Sequence, residues 1–472
     1  MSSSPPPSTT RRHLLVFPFP AQGHMLPLLD LTHHLASHGG FTITILVTPR
    51  NLPILHPLLS AHSSDSVRTL VLPLPHHPKL PHGVENVKDI GNHGNIPILL
   101  ALRQLHDPVV EWFNSHTSPP NAIISDFFLG WTQSLAEHLQ IPRIAFYSSG
   151  AFLVNVMDYC WIHTKTINLR SSITIPNLPN SPSFEREHWS FMSLNYQDSD
   201  PDWVVLRDDA IANANSWGSV LNTFENLEHE YLEHLRKVRD EGRVFGVGPL
   251  NPIGAKDGRN PIRDSSLNLL TWLDGCPDDS VVYVCFGSQK KLNQQQMEAL
   301  ASGLEKSGTR FVWVIQTIHQ TDGGSDGIPT GFENRVSDRG ILVKGWAPQV
   351  SILNHRAVGG FLSHCGWNSV LESIVGGVMI LGWPMEADQF INARLLVEEL
   401  GVAVRVCEGA NSVPEPAELE KAIAGSLREE SPEKMKAKAL KREAVEAVRS
   451  NGSSWKDMED LVNKLTHLPL RK

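Results

Sequence analysis

The sequence predicts an α/β protein built as two doubly wound parallel-sheet domains that face each other across a cleft. Three observations carry this prediction. Runs that read as strands alternate with runs that read as helices along most of the chain, the pattern of a parallel sheet with helices on both faces. The alternation begins twice, on either side of a Gly/Pro/polar stretch at 248–265 that has the make-up of a linker. At 472 residues the chain also exceeds one ordinary domain.

The elements follow in order. Behind "MSSSPPPSTT", expected to be part of a disordered tail over 1–12, "HLLVFPFP" (13–20) reads as a first strand. "LPLLDLTHHLASH" (26–38) has helical apolar spacing at Leu28, Leu31 and Leu35, and the β-branched "FTITILVT" (41–48) completes a βαβ opening. "AIISDF" (122–127), "GWTQSLAEHL" (130–139) and "PRIAFY" (142–147) repeat the unit. Residues 165–210 interrupt it with Pro, Ser and Asn, and the rhythm resumes through "GSVLNTFENLEHEYLEHLRKV" and "RVFGVGPL". In the second half "SVVYVCFGS" (280–288), "RFVWVI" (310–315), "ILVKGW", "GGFLSH", "VMILGW" and "AVRVC" read as strands, with "NQQQMEALASGLEKSG" (293–308) a helix among them. The expected plan is an N-terminal domain over 13–247, the linker, and a C-terminal domain over 266–450. A last helix within 451–472 is expected to pack back on the first domain.

The totals exclude several classes. A net charge of −9 argues against a broad nucleic-acid footprint. The five cysteines are odd in number, scattered, and without CxxC or Cys/His metal spacing, which fits a reducing compartment. "RRHLLVFPFPA" (11–21) has the basic and apolar parts of a signal peptide but carries two prolines and no convincing cleavage site. No apolar run approaches the ~20 residues that cross a bilayer. A cytoplasmic protein is expected.

The stretch "SHCGWNSVLE" (363–372) marks a candidate anion site. "GGFLSH" ends a strand and "WNSVLESIV" starts a helix that stops at Gly376–Gly377, so residues 364–369 lie at a strand's carboxyl end and a helix N-terminus. Free N–H groups and the positive end of the helix dipole favour phosphate there. His364, Asn368 and Ser369 add side-chain donors; Asn368 and Ser369 read equally well as plain helix caps. Gly287 and Ser288, in "CFGS" after another strand, offer a close backbone approach and a hydroxyl. Neither half has a GxGxxG after its first strand, which weakens a dehydrogenase.

"WAPQVSILNHRAVGGFLSHCGWNSVLESIVGGVMILGWPMEADQ" (346–389) resembles, without a gap, the 44-residue donor box of plant secondary-product UDP-glycosyltransferases, glycosyltransferase family 1. The resemblance implies the GT-B fold, with a UDP-sugar held mainly by the C-terminal half as a co-substrate, and neither cofactor nor metal. It implies that Trp346 stacks on uracil, that the Ala347 backbone reads its edge, and that Gln349 and Glu372 bind the ribose hydroxyls. His364, Asn368, Ser369 and Ser288, around the turn at Gly366, would hold the diphosphate. Trp367, Asp388 and Gln389 would contact the sugar; the closing glutamine resembles members that use UDP-glucose.

The family places its catalytic histidine in a G-H-x-x-P context, matched by His24 in "PAQGHMLP" (20–27), and its carboxylate partner at Asp126. A neutral His can take a hydroxyl proton, and a carboxylate can fix its tautomer. By themselves His24 reads as a loop residue before a helix starting at Leu26, and Asp126 as a helix N-cap. Ser148 matches a family Thr or Ser near the sugar, with Ser149 a close rival.

The expected activity is inverting O-glucosylation of a small phenolic such as a flavonol, with other UDP-sugars or benzoate and terpenoid acceptors as alternatives. A non-catalytic nucleotide-sugar or phenolic binder is the alternative from another class. A metal-dependent route would need a D-x-D pair, and "DSDPD" (198–202) reads as an exposed acidic loop. Neither nucleic acid nor a membrane is expected as a partner, and the expected state is a monomer.

Overall fold

The computed structural model describes residues 11–167, 169–189, 195–250, 264–287, 290–316 and 327–469. The first half supplies β1 (Arg12–Phe17), β2 (Phe41–Val47), β3 (Val67–Val71), β4 (Ala122–Asp126) and β5 (Arg143–Tyr147). A short hairpin of β6 (Ser172–Thr174) and β7 (Ser183–Glu185) follows, then β8 (Gly218–Leu221) and β9 (Val244–Gly246). Outside the antiparallel hairpin these strands form one parallel sheet in the order β3-β2-β1-β4-β5-β8-β9. The second half supplies β10 (Val281–Cys285), β11 (Arg310–Ile315), β12 (Gly340–Lys344), β13 (Val358–Ser363), β14 (Met379–Gly382) and β15 (Ala403–Arg405). They form a parallel sheet in the order β12-β11-β10-β13-β14-β15. Together these are the two Rossmann-like sheets of the GT-B fold.

Strands covered on both faces read as unbroken apolar runs, because alternate side chains enter different cores. In β1, Leu14 and Val16 join one layer while Leu15 and Phe17 join the other. The second sheet repeats this, with Val282 and Val284 on one side and Val281 and Tyr283 on the opposite one. The C-terminal helix Ser453–Thr466 places Met458, Leu461 and Leu465 in the same layer as Leu28, Leu31 and Leu35 of the first domain. A further apolar cluster joins the domains, with Phe152 and Leu232 from the first and Val370, Ile374 and Leu440 from the second.

Some local readings need correction. The first helix spans Gln22–His38, not 26–38, and Pro27 lies inside it. Pro27 lies beyond the first turn, so it removes the hydrogen bond that an N–H there would give to the Gly23 carbonyl. The stretch 165–210 is not irregular throughout: it contains the hairpin and the helix Pro201–Ala212. The acidic "DSDPD" is largely that helix's start. Asp200 accepts a hydrogen bond from the Asp202 N–H at 2.9 Å and Pro201 takes the first helical position. Most of the linker, the tail as far as residue 10, and Ser288 lie outside the described residues.

Candidate functional site

In doubly wound sheets a crevice opens where the strand order reverses, beyond the carboxyl ends of the strands. The first sheet reverses between β1 and β4, and the second between β10 and β13. His24 follows β1, Asp126 ends β4, Gly287 follows β10 and His364 follows β13. All these strand ends meet at one cleft. The cavity there, of about 570 Å³, is lined from the first domain by His24, Phe127, Phe128, Ser148 and Ser149, among others, and from the second by residues 345–350 and 364–391 in part.

His24 sits in the first turn of its helix with Nδ1 at 3.0 and 3.1 Å from the two oxygens of Asp126. The carboxylate is fully buried, whereas His24 keeps 19 % of its side chain accessible. Facing a carboxylate, Nδ1 carries the proton, which leaves the Nε2 lone pair free to accept one. The imidazole is also held by aromatic neighbours: Phe19 edge-on at 5.3 Å, Phe127 stacked at 5.3 Å and Phe128 at 4.5 Å. Asp126 does two jobs at once, since its Oδ1 also accepts the Phe128 N–H at 2.9 Å and caps the short helical turn that follows. Behind it lies Arg143, wholly buried. Its guanidinium donates to Ser125 Oγ at 2.9 Å and Asn213 Oδ1 at 2.8 Å, and more distantly to the Asp126 carbonyl at 3.4 Å. Burial lowers its pKa only to about 10, so it stays a cation behind the carboxylate at neutral pH.

Across the cleft, the helix Trp367–Gly376 begins at Gly366 without any side-chain cap, so Asn368 and Ser369 do not serve as its caps. The Trp367 N–H is engaged by the Asp388 carboxylate, and the N–H groups that follow it lie at the positive end of the helix without an intrahelical partner. The turn before it is tight: Cys365, buried, adopts φ 63°. The His364 ring is pressed between two glycines, where a Cβ on Gly287 or Gly366 would come within 2.8 or 2.6 Å of its Nε2. Burial lowers its pKa to about 4, so it is neutral at pH 7, and its Nδ1 is buried with no protein partner. A buried nitrogen without a protein partner beside an uncapped helix N-terminus is an arrangement that can receive an anion.

One end of the cavity is a connected group. Gln349 donates from Nε2 to Glu372 Oε2 at 2.8 Å and to Ser369 Oγ at 3.0 Å, while Tyr283 donates to Gln349 Oε1 at 3.2 Å. Trp346 is half-buried and Ala347 buried at the same wall. At the other end Asp388 accepts from Asn392 Nδ2 at 2.7 Å. Burial raises its pKa, against the opposing pull of the Asn392 amide and the Trp367 N–H. Gln389 Oε1 accepts the N–H groups of Met385 and Glu386 at 2.9 and 3.1 Å, which fixes the loop before it. Ser148 and Ser149 both follow β5, are buried, and line the cavity. The Trp367 indole is committed to the domain interface: Nε1 donates to the Asn222 carbonyl at 2.8 Å, and the ring fills the space that Gly150 leaves by lacking a Cβ.

A family model described as UDP-glucoronosyl and UDP-glucosyl transferase matches residues 260–439. UDP-glycosyltransferase 89A2 of Arabidopsis thaliana is 51% identical over 96% of this chain and 95% of its own. The chain belongs to the UDP-glycosyltransferase family. The flavonol 3-O-glucosyltransferase UGT89B1 of the same plant is 46% identical to this enzyme over 98% of both chains. Among solved structures, Arabidopsis thaliana UGT89C1 complexed with UDP-L-rhamnose superposes on it with a TM-score of 0.81 at 38% identity, over 97% of this chain and 99% of that one. The same protein has also been solved with quercetin. The transferase has no helix among its described residues that is long and apolar enough to cross a membrane.

Sequence reasoning missed Arg143, Asn392 and Glu228. Asn392 stands one helical turn beyond Asp388 and also donates to the Cys365 carbonyl at 3.0 Å, a spacing that could have drawn notice. Glu228, buried, accepts the N–H groups of Ala151 and Phe152 at 2.8 and 2.7 Å, and so caps the helix Ala151–Ile162 on the cavity wall. Nothing local in the sequence announces that pairing.

Proposed function

We propose that the enzyme transfers glucose from UDP-glucose to a hydroxyl of a small phenolic of the flavonol type, with inversion at the anomeric carbon. In this reading His24 Nε2 takes the acceptor's hydroxyl proton while Asp126 stabilises the imidazolium. The acceptor oxygen bonds to the anomeric carbon as the bond from that carbon to the diphosphate breaks, and UDP leaves with the electron pair. The diphosphate is received by the N-terminus of Trp367–Gly376 and by His364, with Asn368, Ser369 and Ser288 around it; Trp346, Ala347, Gln349 and Glu372 hold the nucleoside. Asp388, Gln389, Trp367 and Ser148 bound the sugar, Trp367 through its backbone. Stabilisation of the leaving group by fixed dipoles makes the reaction metal-independent. The protein is proposed to act as a cytoplasmic monomer.

The observation that carries this reading is the His24–Asp126 pair facing, across one cavity, a buried histidine nitrogen that lacks a partner. The glucose assignment draws on Gln389 and on the relative named as a flavonol 3-O-glucosyltransferase. Rhamnose is the second reading, because a 38%-identical structure was solved with UDP-L-rhamnose. UDP release across several UDP-sugars and a phenolic panel separates the two, and the anomeric coupling in the product reports inversion. His24→Ala should abolish transfer while UDP still binds, and wild-type turnover should persist in EDTA. Turnover retained in His24→Ala would defeat the mechanism, and UDP-sugar binding without release on any acceptor would favour a non-catalytic binder.

A further inference from the structure

The wall that the first domain contributes to the cavity is largely apolar along the helix Ala151–Ile162, where Leu153, Val156, Met157, Cys160 and Trp161 face it. Asp158 breaks that wall. Among the described residues it is the only carboxylate that the first domain places on the cavity surface. Its Oδ2 accepts from Arg239 Nη2 at 2.7 Å, and Arg239 is itself 7 % exposed, with Nη2 also 3.5 Å from the Tyr147 hydroxyl. No described donor other than Arg239 bonds to the carboxylate. Asp158 keeps 25 % of its side chain accessible and lines the cavity, while the burial around it raises its pKa.

An ion pair in such a place does little for stability compared with apolar side chains of similar volume. It does place one anchored, unsatisfied acceptor oxygen in an apolar cavity, the kind of group that fixes a ligand's orientation. We propose that Asp158, positioned by Arg239, accepts a hydrogen bond from a second hydroxyl of the acceptor, remote from the one that is glycosylated, and so selects polyhydroxylated phenols. This rests on the phenolic-acceptor reading above. The Arg239 guanidinium opposes the rise in pKa that burial causes, and a hydrogen bond to a carboxylate paired with a cation discriminates more strongly than one between neutral groups. A phenol lacking that hydroxyl leaves the oxygen desolvated and unpaired.

The test is binding, which does not depend on turnover. Two flavonols that differ only in hydroxyls on the pendant ring are titrated by tryptophan fluorescence into the wild-type protein, Asp158→Leu and Asp158→Asn. The wild type should bind the hydroxylated compound about tenfold or more tightly than its partner. In Asp158→Leu that ratio should fall to near one. In Asp158→Asn it should fall several-fold without vanishing, since Arg239 holds the amide oxygen and the NH₂ that then faces the hydroxyl can only donate to it and carries no charge. Should Asp158→Leu fail to fold with Arg239 unpaired, Asp158→Asn alone decides. Equal affinities in the wild type, or a ratio unchanged in either folded variant, overturns the proposal. Absence of UDP release with both compounds, while the ratio behaves as expected, would count against the transfer reaction and not against Asp158. Failure of both compounds to bind would overturn both.

Discussion

Replacing Asp126 by Asn tests the base assignment more sharply than removing His24. The substitution is nearly isosteric, and the surroundings dictate which way the amide turns. Oδ1 already accepts the Phe128 N–H at 2.9 Å, so the amide oxygen stays there and the NH₂ takes the place of Oδ2, 3.0 Å from His24 Nδ1. The NH₂ is then the nearer partner, and the amide oxygen at 3.1 Å is already engaged by Phe128, so the favoured arrangement has Nδ1 presenting its lone pair and the ring proton on Nε2. The nitrogen facing the cleft is then a donor and cannot take the acceptor's proton.

The expected loss is the whole general-base contribution, about 10²–10⁴ in rate or roughly 3–5 kcal/mol of barrier. UDP affinity should hold, because Asp126 is on the opposite domain from the donor helix. The assay measures UDP release with two phenols of similar shape, one neutral at the working pH and one acidic enough to be ionised already. The neutral phenol should show the full loss. The ionised one, which has no proton to give, should lose less than about tenfold. An equal loss on both would refute the reasoning and leave Asp126 a purely structural cap.

Gly287→Ala adds a Cβ 2.8 Å from His364 at a residue with φ 75°, so the strand-end turn or the ring must shift. Calorimetric titration should show UDP affinity reduced about tenfold or more, and unchanged affinity would mean that His364 does not touch the diphosphate. Asp457, in the C-terminal helix, accepts the Gly246 N–H at 2.7 Å and lies 3.3 Å from Arg236, yet burial raises its pKa from 3.8 to about 6. A raised folded-state pKa means that protonation favours the folded form. Its contribution is therefore fully present below about pH 4 and lost as pH rises through 6, with a span of at most about 3 kcal/mol. Relative to Asp457→Asn, the wild type should gain thermal stability between pH 7 and pH 4.5; parallel Tm profiles would rule this out.

Much of the architecture was legible because strands buried on both faces announce themselves as apolar runs. "RFVWVI" coincides with β11 residue for residue. β3 gave no such signal: at the sheet edge, "VRTLV" is only partly covered and mixes Arg and Thr with its apolar residues. The helix Pro201–Ala212 was hidden by its proline, which breaks a helix in its interior but suits its first position. The candidate site was legible as residue types at strand ends. Its pairings were not legible from spacing: the His24–Asp126 pair came only with the family resemblance, because their approach depends on β1 and β4 lying side by side. Trp367 shows the limit plainly. Its indole turns into the domain interface because Gly150 leaves room and Asn222 offers a carbonyl, and both belong to the other half of the chain.

The two halves of the site are coupled by a detail of the first helix. An α-helix returns each N–H to the carbonyl four residues back, but Pro27 has no N–H to give Gly23. The Gly23 carbonyl instead accepts Asn368 Nδ2 at 3.1 Å from the opposite domain. Gly23 adjoins His24, and Asn368 lies in the first turn of Trp367–Gly376. One hydrogen bond therefore ties the backbone beside the base to the helix proposed to receive the leaving group. Because the Trp367 indole and the apolar cluster hold the same two domains together nearby, the separation between the base and the anion site is set by packing at the interface. In the proposed reaction, a change that opens the cleft would therefore draw His24 from the acceptor and the acceptor from the sugar together.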